Sequence, residues 1–156
     1  MQDKGGIFKT LVLITLLSGS TPLFACPDMQ GTYKVEEGET QLYLQKDGAE
    51  NYKVLLDIPT YPLMVKTASP ITDKDRKASF YQMPLPDCTL HIERLGYLMP
   101  FTKGTIYHLH FDSQDYEKAI NTDYVLRYNN TPRGIAGMSR TSNSLPDKAI
   151  AEFNKK

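Results

Sequence analysis

Three histidines are the residues of this 156-residue chain best placed to hold a metal ion, and all fall in two short stretches of alternating polarity. His108 and His110 sit within residues 105–112 (TIYHLHFD), and His91 lies two residues before Glu93 within residues 88–95 (CTLHIERL). On a strand, residues i and i+2 share a face, so His108 and His110 would present both imidazoles together. If the two stretches are neighbours in the right register, His91 and Glu93 join them, an imidazole and carboxylate set suited to zinc. A slip of one residue turns His91 to the opposite side. The competing expectation is a row of solvated histidines on an exposed sheet face.

The two cysteines, Cys26 and Cys88, carry the other reactive groups. What precedes Cys26 sets their compartment. Lys4 and Lys9 lead into an uncharged apolar run over residues 10–17, and Gly19 and Pro22 break it before Leu23-Phe24-Ala25-Cys26. That layout predicts a secretory signal peptide over residues 1–25, too short for a permanent span, which needs about 20 apolar residues. The mature chain is then a single domain, residues 26–156, periplasmic or secreted. Leu23-Phe24-Ala25-Cys26 resembles a bacterial lipobox, in which case Cys26 is acylated and anchors a lipoprotein to a membrane. Otherwise cleavage follows Ala25 and Cys26 pairs with Cys88. An oxidising compartment favours the disulfide, and closing a loop of about 60 residues is worth roughly 4 kcal/mol in the chain-entropy model.

Charge narrows the partners. The 18 basic and 18 acidic residues balance, and loss of Lys4, Lys9 and Asp3 with the leader leaves a formal charge of −1. Neither nucleic acid nor an anionic membrane surface is expected as a partner, because both call for a concentrated basic field. The chain contains no Gly-x-Ser-x-Gly, no P-loop and no His-Glu-x-x-His. Asp57, Glu93 and Asp112 show no local pairing suited to acid and base catalysis. The chain reads as a binding protein rather than an enzyme, with no cofactor.

The elements that position these groups are short. Alternation and turn residues predict strands over residues 31–35, 41–46, 52–58, 63–67 and 78–83. Further strands are expected over 88–95, 105–112, 116–120, 124–128 and 135–140. Asp47-Gly48 signals a hairpin, 72–77 a solvated loop, and 96–104 a connection. Residues 116–120 and 124–128 read as a hairpin around Asn121-Thr122-Asp123. One helix is expected, over 144–153, with Pro146 in its first turn and Leu145, Ala149, Ile150 and Phe153 as its apolar stripe. The fold class is therefore all-β, an antiparallel meander of about nine strands closing into a small barrel or a sandwich, with one short C-terminal helix.

Gly31-Thr32-Tyr33 near the mature N-terminus, and Met138-Ser139-Arg140-Thr141 followed by the C-terminal helix, resemble the two ends of the lipocalins and their calycin relatives. Tyr33 stands where that family has tryptophan. Thr122-Asp123-Tyr124 is similar to its middle motif, though closer to Arg140 than usual. The resemblance implies a lipocalin-like barrel with Tyr33 at its base and the Arg140 guanidinium on the ring, both structural. It further implies a mouth at the other end that admits an apolar small molecule. Apolar candidates for the lining are Leu42, Leu44, Val54, Leu56, Phe80, Tyr107, Leu109 and Phe111. A rival reading is an envelope-associated interaction or structural protein with exposed tyrosines and no enclosed pocket.

Overall fold

The computed structural model describes residues 26–78, 85–111, 113–129 and 134–155, with the side chains of Ala78, Leu109, His110 and Phe111 outside that description. The leader expected over residues 1–25, most of the strand expected over 78–83, and Phe80 also lie outside the described residues.

Eight strands close into an antiparallel barrel. They are β1 (Gly31–Val35), β2 (Gln41–Lys46), β3 (Tyr52–Asp57), β4 (Met64–Pro70), β5 (Leu90–Ile92), β6 (Gly96–Pro100), β9 (Tyr124–Tyr128) and β10 (Ile135–Ser142). Each pairs with its predecessor except β9, which pairs with β6, and β10 returns to β1 to close the wall. Two strands stand outside as a separate hairpin, β7 (Thr105–Phe111) with β8 (Gln114–Ile120). Two short helices complete the chain, α1 (Asp73–Ala78) and α2 (Asp147–Phe153).

Period-two alternation explains the layers. The inward side chains of β1, β2 and β3 are Tyr33, Val35, Leu42, Leu44, Tyr52, Val54 and Leu56, and they meet Ile92, Leu98, Leu126 and Met138 in one buried cluster. Eight strands enclose little more than the volume such side chains fill. Where outward positions are also apolar, something must cover them. Tyr43 and Leu55, outward on β2 and β3, lie under Ala149, Phe153 and Leu145 of the C-terminal segment. Met99 and Val125, outward on β6 and β9, lie under Tyr107 and Ile120 of the outer hairpin and beside Leu85. Burying each such side chain fully is worth about 1.5–3 kcal/mol.

Several expectations change. Residues 96–104, read as a connection, contain β6, with Leu98 inward between Gly96 and Pro100. A Cβ on Gly96 (φ 151°) would stand 1.8 Å from the Arg127 carbonyl oxygen, so only glycine lets β6 approach β9. The strand expected over 88–95 shortens to Leu90–Ile92, because Cys88 and Arg94 both take positive φ. Residues 116–120 and 124–128 do not form a hairpin, since β8 returns along β7 and β9 rejoins β6. The loop expected over 72–77 holds α1, started by a reciprocal cap: Asp75 N–H donates to the Thr72 hydroxyl and Thr72 N–H to the Asp75 carboxylate. On α2, Ile150 is exposed and does not join the stripe.

Candidate functional site

The barrel has two unlike ends. At one, the N-terminal segment crosses the opening and Met29 enters the core at 1% exposure. Met29 N–H donates to the Tyr52 hydroxyl at 3.0 Å, and the Tyr33 hydroxyl donates to the Met29 carbonyl at 2.8 Å. The Arg140 guanidinium lies 5.9 Å from the Tyr33 ring centroid and donates to the carbonyls of Asp28 and Gln30. Tyr124 meets the same ring edge-on, with centroids 5.1 Å apart, and its carbonyl accepts from the Thr122 hydroxyl. Burial pushes the Tyr33 phenol well above its usual range, so its hydroxyl stays a donor. Gly31 (φ 152°) allows the crossing, since a Cβ there would stand 2.3 Å from the Ser142 carbonyl oxygen. This end is closed.

Cys26 and Cys88 are joined in a disulfide across 62 positions, which straps the crossing segment to the start of β5. The thiol that acylation of Cys26 would need is thereby engaged. Beside the strap lies a cleft of about 360 Å³ lined by Met29, Ala49, Tyr52, Pro70 and Leu90, with Lys46 and Glu50 among its charged walls. Asp28 borders it too, its carboxyl held below the usual range by the backbone N–H of Gln30.

The other end is the rim opposite the strap. The strand directions carry the loops 36–40, 58–63 and 93–95, together with Asn129 and Gly134, to this rim. Around this rim the inward Val35, Leu56 and Ile92 stay buried, while Met64, Lys66, Leu95, Tyr128 and Ala136 are half-buried. The wall is also lowest here, because the tight turn at residues 93–95 ends the β5–β6 hairpin level with Thr67, where Glu93 N–H meets the Thr67 carbonyl. Above that level Met64, Val65 and Lys66 pair only with β3.

The proposed lining set divides. Leu42, Leu44, Val54 and Leu56 do face the interior, yet each is 0–2% exposed and packed against the others, so together they are core rather than the lining of a cavity. Tyr107 is not in the barrel at all; it packs on the outer face beside Phe101. Leu109 and Phe111 lie on the outer hairpin as well, with side chains outside the description, and Phe80 is not described. Outward apolar residues on β6 and β9 needed a cover, and the alternation of β7 gives no sign that it is that cover.

The histidines separate for the same reason. His91 lies on β5, which pairs with β4 and β6, whereas His108 and His110 lie on β7, which pairs with β8 alone. No shared face brings the three together, and among the described residues no cluster of three metal-ligating side chains forms. His91 stacks on Tyr97 at 5.0 Å and its Nδ1 lies 3.7 Å from Asp75 of α1. His108 pairs with Glu117 across the exposed hairpin.

Residues that sequence reasoning did not single out thus border the rim opposite the strap: Met64, Lys66, Leu95, Tyr128 and Ala136. For Lys66 a signal existed, a lysine in phase with Met64 and Ala68 in an alternating strand. No described helix is long and apolar enough to cross a membrane, a statement about helices only. No protein-family description, curated protein or solved structure matches this chain, so its candidate site stands on geometry alone.

Proposed function

We propose that this chain is an exported small-molecule carrier or sensor, a lipocalin-like barrel that takes an apolar ligand into a cup at the rim opposite the strap and performs no catalysis. The observation that carries this reading is the group of half-buried inward residues at the end opposite the strap. Met29, Tyr33 and Tyr52 are buried at the strapped end, and Met64, Leu95 and Tyr128 are half-buried at the other. An apolar, partly hydrated concavity on a rigid wall is the ordinary setting for a small ligand. Export is supported by the leader-like start of the chain and by the Cys26–Cys88 disulfide, which fits an oxidising compartment. The lipocalin-like reading is supported by the Tyr33–Arg140 contact at the closed base.

The test is fluorescence of the neutral probe N-phenyl-1-naphthylamine with the purified mature chain, alongside native mass spectrometry. Saturable enhancement at one probe per chain, weakened by Leu95→Asp, is expected. Absence of any saturable binding would remove the cup as a site. One observation favours the rival reading, a protein-binding surface without a pocket: Tyr61, Leu63 and Val65 are 65%, 40% and 47% exposed along one segment. Crosslinked partners lost in Tyr61→Ser/Val65→Thr, with no probe binding, would establish it instead.

A further inference from the structure

The segment that crosses the strapped end fills only part of it. Its Met29 packs with Tyr33, Tyr124 and Arg140 on the side of β1, β9 and β10. On the side of β2 to β5 it leaves the cleft of about 360 Å³ beside the disulfide. Two cross-strand pairs line that cleft, Lys46 with Tyr52 and Pro70 with Leu90. Met29, Tyr52 and Leu90 give it an apolar floor that belongs to the core. The walls are held before anything enters. The disulfide fixes the crossing segment, Met29 N–H donates to the Tyr52 hydroxyl, and that hydroxyl donates to Asp28 Oδ1 at 3.3 Å. A site fixed in this way loses little to ordering when a ligand binds.

Charge of both signs borders this apolar floor. Asp28 is already engaged, since the Gln30 N–H and the Tyr52 hydroxyl both reach its Oδ1. Lys46 at the end of β2 and Glu50 in the turn that follows are not: neither makes a side-chain hydrogen bond or ion pair with a described residue. A ligand of a single sign would meet one of these two groups and be repelled by the other. A zwitterion with an apolar side chain meets both and covers the floor. Size narrows the class further. The volume is near the lower end of the usual range for ligand pockets, about 300–1,000 Å³, which suits one or two amino-acid residues rather than a long chain.

We infer that the cleft beside the strap binds a small apolar zwitterion, a free amino acid or dipeptide with an apolar side chain. The ligand's ammonium pairs with Glu50, its carboxylate with Lys46, and its side chain covers Met29, Tyr52 and Leu90. This site is at the opposite end of the barrel from the proposed cup, and neither depends on the other.

A matched set tests the charge pattern. L-phenylalanine, phenethylamine and 3-phenylpropanoate share a ring, and the second lacks the carboxylate while the third lacks the ammonium. Each is titrated into the isotope-labelled mature chain with its disulfide intact, and the amide NMR shifts of Met29, Lys46, Glu50, Tyr52 and Leu90 are followed. Phenylalanine is expected to bind about threefold to fivefold more tightly than either analogue, the modest margin of an exposed ion pair. That margin should shrink as salt is raised. Glu50→Gln should weaken phenylalanine by about the same factor and leave 3-phenylpropanoate unchanged, and Lys46→Gln should weaken phenylalanine and leave phenethylamine unchanged. Ala49→Trp, in the exposed turn at the mouth of the cleft, should abolish the shifts. Thermal unfolding confirms that each variant is folded, with Ala49→Tyr in reserve if Ala49→Trp is not. An analogue that binds as tightly as phenylalanine, or phenylalanine binding that neither charge variant weakens, overturns the zwitterion. Binding that survives a folded blocking variant, or no saturable shift at these amides with any of the three molecules, overturns the cleft as the site.

Discussion

Replacing Tyr33 with alanine would take out the ring on which the closed end of the barrel is built. Three contributions go with it. The side chain is fully buried, and truncating a buried aromatic costs about 3–5 kcal/mol. Within that sum, the hydroxyl bond to the Met29 carbonyl is worth about 0.5–1.5 kcal/mol, so Tyr33→Phe should lose only about that much. The Arg140 contact adds about 0.5–2 kcal/mol at the observed 5.9 Å. Arg140→Ala removes the same contact together with its bonds to the Asp28 and Gln30 carbonyls, and should cost about 2–3 kcal/mol. Because one contact is counted in both single variants, the double variant should cost less than their sum by about 0.5–2 kcal/mol. Urea unfolding of the four proteins with the disulfide intact measures this, provided the m-value stays constant. Additivity within about 0.5 kcal/mol would refute the pair as an energetic unit and leave the two residues as mere neighbours.

Removing the strap with Cys26→Ala/Cys88→Ala should lower stability by roughly 4 kcal/mol, the chain-entropy value for a loop of this length. Intact mass of the untreated chain should lie two hydrogens below the reduced form; a mass raised by an acyl chain would contradict the disulfide. Burial raises the phenol pKa of Tyr33, Tyr107 and Tyr128, so the folded chain keeps protons that the unfolded chain releases near the usual pKa of about 10. Stability should therefore be full below about pH 10 and fall as pH rises above it, with a shallower fall in Tyr33→Phe; a flat alkaline limb would count against buried neutral phenols. His108→Ala should change the unfolding free energy by less than about 0.5 kcal/mol, since its pair with Glu117 is two-thirds exposed on both sides, and zinc should not raise the urea midpoint. One zinc retained per chain after dialysis would reverse that expectation.

Much of the fold was legible because it is local. Alternation in GTYKV, QLYLQK and YKVLLD marks β1, β2 and β3 and correctly assigns Leu42 and Leu44 to one face and Tyr43 to the other. Pro146 and the spacing of Ala149 and Phe153 mark α2. Tyr33 and Arg140 were expected together only through the resemblance of the two ends of the chain to the lipocalins, and the crossing that Gly31 permits was not read from the sequence. The start of α1 was present in Thr72-x-x-Asp75, a capping signal obscured by the charged residues around it.

What the sequence by itself determined, then, was the period of each segment, its two faces, and two cysteines available to each other. Partners were decided only by the tertiary structure. Alternation says that a strand has an inner and an outer side, but not which strand lies beside it; that depends on which exposed apolar faces remain to be covered. Met99 and Val125 required a cover, so β7 and β8 left the wall and β9 closed on β6. That single exchange carried Tyr107 out of the barrel and parted His91 from His108 and His110. It also let the wall end low beside β4, where Lys66 faces inward without a counter-ion. Side-chain direction is a property of one strand, whereas a site is a property of neighbouring strands, and neighbours are set by the burial of the whole.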